Sequence, residues 1–331
     1  MVFIYSSAQT TTKVDSVLKT GTYFYYEYTK TITLTQIVTV RDTVIKYVQV
    51  PCDTIVPPDT IIPPQATYTV NSMYVSPIAD WLNAPDTYLS WAKNQGVNEL
   101  NLYARAYITS TSKHSQLASF VKKAKEQYGI KKVFVDYRLT SELPYWQTYH
   151  NSYKNTTSDL DGLITEREPY VTGDYAGFYP FLKEGKAFSK ANGYELAVYM
   201  GHPSTQGWDS IVFYADKVYL SLYITMSTWA NSTNGYNYVK GRWEYITASC
   251  TKQGKTDYPV IYIISLEQKK WGASNDFMGL HFETNQFYGT TWNTLLSKYN
   301  SNATTTIKNA TDLIGSCMFY SKYGVLAHPI Q

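Results

Sequence analysis

From Thr31 to Val50 the aliphatic residues Ile32, Leu34, Val38, Val40, Val44, Val48 and Val50 recur at alternate positions, with Thr33, Thr35, Thr39 and Thr43 between them. A period of two puts the two sets on opposite faces of an extended chain, so the pattern predicts β structure with one aliphatic face. No turn signal interrupts residues 20–50, and the stretch is expected to remain a long arm rather than fold into a compact hairpin. Its aliphatic face needs cover, either from the chain's own globular part or from a neighbouring molecule, because an unpaired strand edge recruits partners. Residues 20–50 are thus a candidate contact with a homo-oligomer or filament neighbour. A tandem hexapeptide follows, Asp53-Thr54-Ile55-Val56-Pro57-Pro58 and Asp59-Thr60-Ile61-Ile62-Pro63-Pro64. Paired prolines favour polyproline II, which makes this a semi-rigid spacer rising about 3 Å per residue.

Beyond Ala66 short apolar runs alternate with stretches of helical period. Strands are predicted at Met73–Ile78, Glu99–Ala104, Lys132–Tyr137, through Asp161–Glu168, and at Glu195–Met200, Lys217–Tyr223, Val260–Leu266 and Leu313–Tyr320. Helices are predicted at Pro85–Gln95, at Ser115–Tyr128 with Gly129 as its stop, at Tyr179–Lys190 before Gly193, and at Val239–Thr251. Eight strands alternating with helices predict an α/β fold, a (β/α)8 TIM barrel over 67–331. An extended β-rich N-terminal arm (10–50) and a Pro-rich linker (51–66) precede it. The 331 residues accommodate a barrel of about 250 plus such an appendage.

Composition narrows the functional classes. The chain carries 29 basic and 26 acidic residues, a net charge of +3, without a block of Lys or Arg, which argues against nucleic-acid binding. Tyrosine is the outlier, 33 residues against 12 Phe and 8 Trp, and aromatic surface with a polar handle suits sugar stacking or protein contacts. Residues 1–9, apolar and then small, read as the end of a secretion signal, so the protein is expected to be secreted, extracellular or at the cell surface. No run reaches the 18 or so apolar residues of a membrane span. Cys52, Cys250 and Cys317 lack metal-ligand spacing; Cys250 and Cys317 are either disulfide-linked or buried free thiols. No metal or other cofactor is implied.

Active sites of such barrels lie at the carboxyl ends of the strands. Asp80 and Trp81 follow the first predicted strand, Arg105 the second, and Asp136 and Arg138 sit at the end of the third. His202 follows the fifth, Tyr223 ends the sixth and Glu267 follows the seventh. On the fourth, alternation gives Ile164, Glu166 and Glu168 a common face. Two carboxyls that close resist joint ionisation, which would leave one protonated near neutrality as a general acid.

The run Asp159-Leu160-Asp161-Gly162-Leu163-Ile164-Thr165-Glu166-Arg167-Glu168 resembles the strand-4 signature of family 18 glycoside hydrolases, the chitinases and endo-β-N-acetylglucosaminidases, D-x-D-G-x-D-x-D-x-E. The resemblance implies Glu168 as general acid, Glu166 in place of the Asp that orients the substrate N-acetyl group, and Tyr223 as support for the oxazolinium intermediate. Ile164 stands where the family has an inner Asp, Val135-Asp136-Tyr137-Arg138 replaces its S-x-G-G motif, and Ile224 stands where a polar partner is expected. Asp136, Arg138, His202, Trp81, Trp229 and Glu267 are candidates for holding the glycan, and Trp146 and Trp208 for stacking on it. A different retaining arrangement would pair the strand-4 Glu with Glu267 at about 5 Å. Two functions follow from these readings: a hydrolase of N-acetylglucosamine-containing glycans, or a catalytically inactive barrel that binds glycan or serves as an assembly subunit joined through its arm.

Overall fold

The computed structural model describes residues 17–19, 22–24, 36–38, 44–46, 69–201, 205–222, 236–265 and 292–321. The chain divides into two units, Met1–Thr67 and Tyr68–Gln331. In the first, Val17–Lys19 pairs antiparallel with Thr22–Phe24, and Gln36–Val38 with Val44–Lys46. Both pairs fall within the stretch read from the sequence as an extended β arm, most of which lies outside the described residues.

The second unit is a closed barrel of eight parallel strands, a (β/α)8 TIM barrel. The strands are β1 (Val70–Ser76), β2 (Glu99–Leu102), β3 (Lys132–Asp136), β4 (Gly162–Thr165), β5 (Glu195–Met200), β6 (Lys217–Ser221), β7 (Tyr258–Ser265) and β8 (Thr311–Ser321). Each pairs with its neighbours in sequence, and β8 closes on β1. Between them run α1 (Ile78–Asn83), α2 (Pro85–Asn94), α3 (Arg105–Ile108), α4 (His114–Tyr128), α5 (Leu143–Tyr153), α6 (Pro169–Thr172), α7 (Tyr175–Asn192), α8 (Thr205–Tyr214), α9 (Tyr236–Gln253), α10 (Trp292–Asn302) and α11 (Thr305–Ala310). The helix stops read from the sequence hold: Gly129 and Gly193 both cap in the left-handed region, at φ 73°.

Strand alternation sorts the core into two compartments. Met73, Val75, Leu100, Leu102, Val133, Val135, Leu163, Leu196 and Val198 pack outward with helix residues such as Phe120, Val121, Trp146, Phe181 and Trp208. The intervening positions, Tyr74, Asn101, Phe134, Ile164, Ala197, Tyr219 and Cys317, are fully buried and fill the barrel. At its amino-terminal end Lys217, the first residue of β6, reaches across to Glu99, the first of β2, at 2.9 Å, and to Glu195 of β5 at 3.3 Å. Its ammonium also sits 4.1 Å from the centre of the Phe134 ring. Two close approaches demand glycine. A Cβ at Gly162 would lie 2.5 Å from Phe134 Cε1, and one at Gly315 would lie 2.6 Å from Val70 Cβ, where β8 meets β1.

Cys250 and Cys317 are buried free thiols rather than a disulfide. Among the described residues, no helix is long and apolar enough to cross a membrane.

Candidate active site at the carboxyl end of β1–β4

Strand β4 is shorter than its sequence pattern suggests. It ends at Thr165, whose Oγ1 accepts the Arg167 N–H at 3.1 Å. Pro169 then opens α6, and a residue before proline is held away from helical backbone, so Glu168 becomes the N-cap at φ −106°, ψ 92°. Its carbonyl accepts the Val171 N–H at 3.1 Å. The expectation of Glu166 and Glu168 side by side on one strand face therefore fails, because the strand has stopped before either. The signature's first two aspartates serve the other end of β4. Asp159 accepts from the Tyr194 hydroxyl at 2.6 Å and lies 3.2 Å from His150, while Asp161 accepts the Val133 N–H at 2.8 Å and meets Lys125 at 2.7 Å. These aspartates pin the start of the strand.

Glu166, one residue past β4, has what a proton-transfer group needs. Its carboxyl is pushed up to about 7, first by burial, with the Asp136 charge adding to it; the hydrogen bond from Tyr103 and the Arg138 charge oppose the rise. Tyr103 follows β2, donates its hydroxyl to Glu166, and packs its ring 4.8 Å from that of Tyr74 on β1. Burial and the Glu166 carboxylate hold the Tyr103 hydroxyl protonated far above its ordinary range.

Asp136 closes β3, with Ile164 of β4 as its register partner. A carboxylate thus stands on the strand beside the position where the family signature would have supplied one. Its Oδ1 accepts the Arg105 N–H at 2.7 Å and its Oδ2 the Arg138 Nε–H at 3.0 Å. Burial raises its pKa, against the pull of Arg138 and of the Arg105 N–H. Glu142, also buried, accepts the Arg138 N–H at 3.2 Å and the Arg105 Nε–H. These residues border an open cavity of about 510 Å³ whose lining includes Tyr103, Arg105, Asp136, Arg138, Glu142 and Tyr145.

Of the residues singled out from sequence, the cleft gathers Asp136 and Arg138 in its wall and Glu166 behind Tyr103. Trp81, expected to stack on sugar, is instead fully buried against the Tyr88 ring at 5.2 Å, and Trp146 and Trp208 are core residues as well. Each lies on a helix face turned toward the strands. Tyr223, His202, Trp229 and Glu267 lie outside the described residues. Tyr74, Tyr103, Glu142 and Tyr145 were not singled out as candidates. Only the positions of Tyr74 and Tyr103, both within predicted strands, could have flagged them. Among the described residues no group of three or more His, Cys, Asp or Glu could hold a metal ion.

No family model matches the sequence, and no curated protein does. Solved structures with a similar barrel include a chitinase from Chromobacterium violaceum, 13% identical over 63% of this chain and 72% of its own, at a TM-score of 0.39. A group IV chitinase from Ostrinia furnacalis in complex with allosamidin is also 13% identical, over 78% and 95%, at 0.41. The aldolase QR15 is 11% identical over 75% and 89%, at 0.40.

Proposed function

We propose that this is a secreted or surface-held carbohydrate-active barrel that hydrolyses glycans containing N-acetylglucosamine, with Glu166 as the proton-transferring group. One observation carries the proposal: the Glu166 carboxyl, at the carboxyl end of the fourth strand, accepts the hydroxyl of a cleft-wall tyrosine, in a setting whose burial pushes its pKa up to about 7. An acid whose pKa matches the working pH is both available and able to release its proton. In the substrate-assisted route implied by the strand-4 resemblance, that proton goes to the leaving glycosidic oxygen, and the sugar's own acetamide oxygen closes on the anomeric carbon. No protein nucleophile is then required. Asp136 supplies the neighbouring carboxylate, and Tyr145, 43% exposed in the cleft, offers a ring for a sugar face. The Pro-rich spacer supports a module held away from an anchor.

A second reading, glycan binding without turnover, is favoured by Ile164, apolar and fully buried where the signature has a carboxylate, and by the capping position of Glu168. Hydrolysis of fluorogenic β-glycosides, N,N′-diacetylchitobioside among them, separates the two when wild type is run beside Glu166→Gln and Glu168→Gln. The hydrolase reading expects turnover that Glu166→Gln abolishes, Glu168→Gln retains, and alkaline pH suppresses above about 7. Loss through Glu168 alone would transfer the role to that residue. Absence of turnover on every glycoside would leave the binding reading.

A further inference from the structure

We infer that the glycan taken by this cleft is acidic, with a carboxylate, sulfate or phosphate group held by Arg105 and Arg138. This rests on the carbohydrate reading above and names the kind of sugar. The two arginine side chains are 43% and 48% exposed, while the side chains they pair with, Glu142 and Asp136, are each only 3% exposed. Each arginine spends its Nε–H on its carboxylate. A guanidinium has five N–H donors, and among the described residues no acceptor takes the Nη groups of either. Both side chains line the same open cavity. Its wall therefore offers two outward-facing donor forks of fixed positive charge, with the compensating negative charge buried behind them.

A neutral sugar hydroxyl can meet one such N–H. An anionic group can take a fork two oxygens at a time, the geometry for which arginine is suited. Arg138 is further fixed by its position 5.6 Å from the centre of the Tyr103 ring, which brings the anion site next to Glu166. The carboxylates already paired to Nε keep the two guanidinium planes oriented before ligand arrives, which lowers the ordering cost of binding.

Because both arginines also neutralise buried carboxylates, the test alters the ligand and leaves the protein intact. Titration calorimetry of the full chain would compare four probes: a hyaluronan tetrasaccharide, its carboxyl methyl ester, tetra-N-acetylchitotetraose and inorganic phosphate. The acidic tetrasaccharide should bind about ten- to a hundredfold tighter than its ester or chitotetraose, the worth of a charge-assisted bidentate contact. Its affinity should fall as NaCl rises from ~50 to ~500 mM while that of the neutral probes holds. Equal affinity for acid, ester and chitotetraose would overturn the inference and leave the carbohydrate reading standing. Phosphate binding without any oligosaccharide binding would uphold the anion site and overturn the carbohydrate reading. No binding by any probe would overturn both.

Discussion

Replacing Glu166 by Gln should make the folded protein more stable at alkaline pH while removing the group proposed to transfer the proton. The carboxyl moves from an ordinary 4.5 to about 7 on folding, chiefly because burial penalises its charged form. The folded state thus holds this proton more tightly than the unfolded chain does. Its contribution to stability is fully present below about 4.5 and is lost as pH rises through about 7. At about 1.4 kcal/mol per pH unit, the wild type at pH 8 carries a penalty of about 3 kcal/mol. Glutamine cannot ionise, yet its amide oxygen can still accept the Tyr103 hydroxyl. Urea unfolding of both proteins from about pH 4.5 to 8 should give a difference near zero at the acid end, growing to about 3 kcal/mol in favour of the variant. A difference independent of pH would refute the reasoning, since it would mean that the carboxyl titrates alike in both states.

Two further substitutions probe the frame beneath the site. Lys217→Met leaves Glu99 fully buried without its cation and should cost about 3–5 kcal/mol by denaturant melting, most of it recovered in the Glu99→Gln/Lys217→Met double variant; equal losses in both would show that the charge pair is not what matters. Gly162→Ala drives a Cβ onto the Glu195 carbonyl and the Phe134 ring, and because backbone cannot yield as a side-chain tip does, a loss of about 3 kcal/mol is expected; an unchanged melting temperature would refute the close fit of β4 against β5.

The barrel was legible because its strands are short apolar runs between helical patterns, and β5, Glu195–Met200, lies where the run places it. Ends were harder. Thr165 rather than Glu168 terminates β4: there the Thr165 hydroxyl takes the Arg167 N–H, and a helix begins at Pro169. Helix α5 escaped notice because its inward residues are Trp146 and Tyr149 rather than aliphatics. Within the site, Glu166, Asp136 and Arg138 could be named from their place after strands. Their grouping could not, because it depends on Tyr103 and Glu142, 63 residues before Glu166 and four after Arg138, arriving at one rim through barrel closure. Tryptophan misled for a physical reason. Large rings contribute most when buried, and those on helix faces toward the strands go to the core.

The contact between Lys217 and Glu99 also bears on how the circle of strands comes to be complete. The partners are 118 residues apart and start strands on opposite sides of the barrel, so neither charge leaves water until the circle is nearly complete. In an open half-barrel both charges stay hydrated, and closure desolvates them in the same event that pairs them. The pair thus ties the burial of Glu99 to the arrival of β6: a barrel that closed with the strands out of register would bury that carboxylate without its cation.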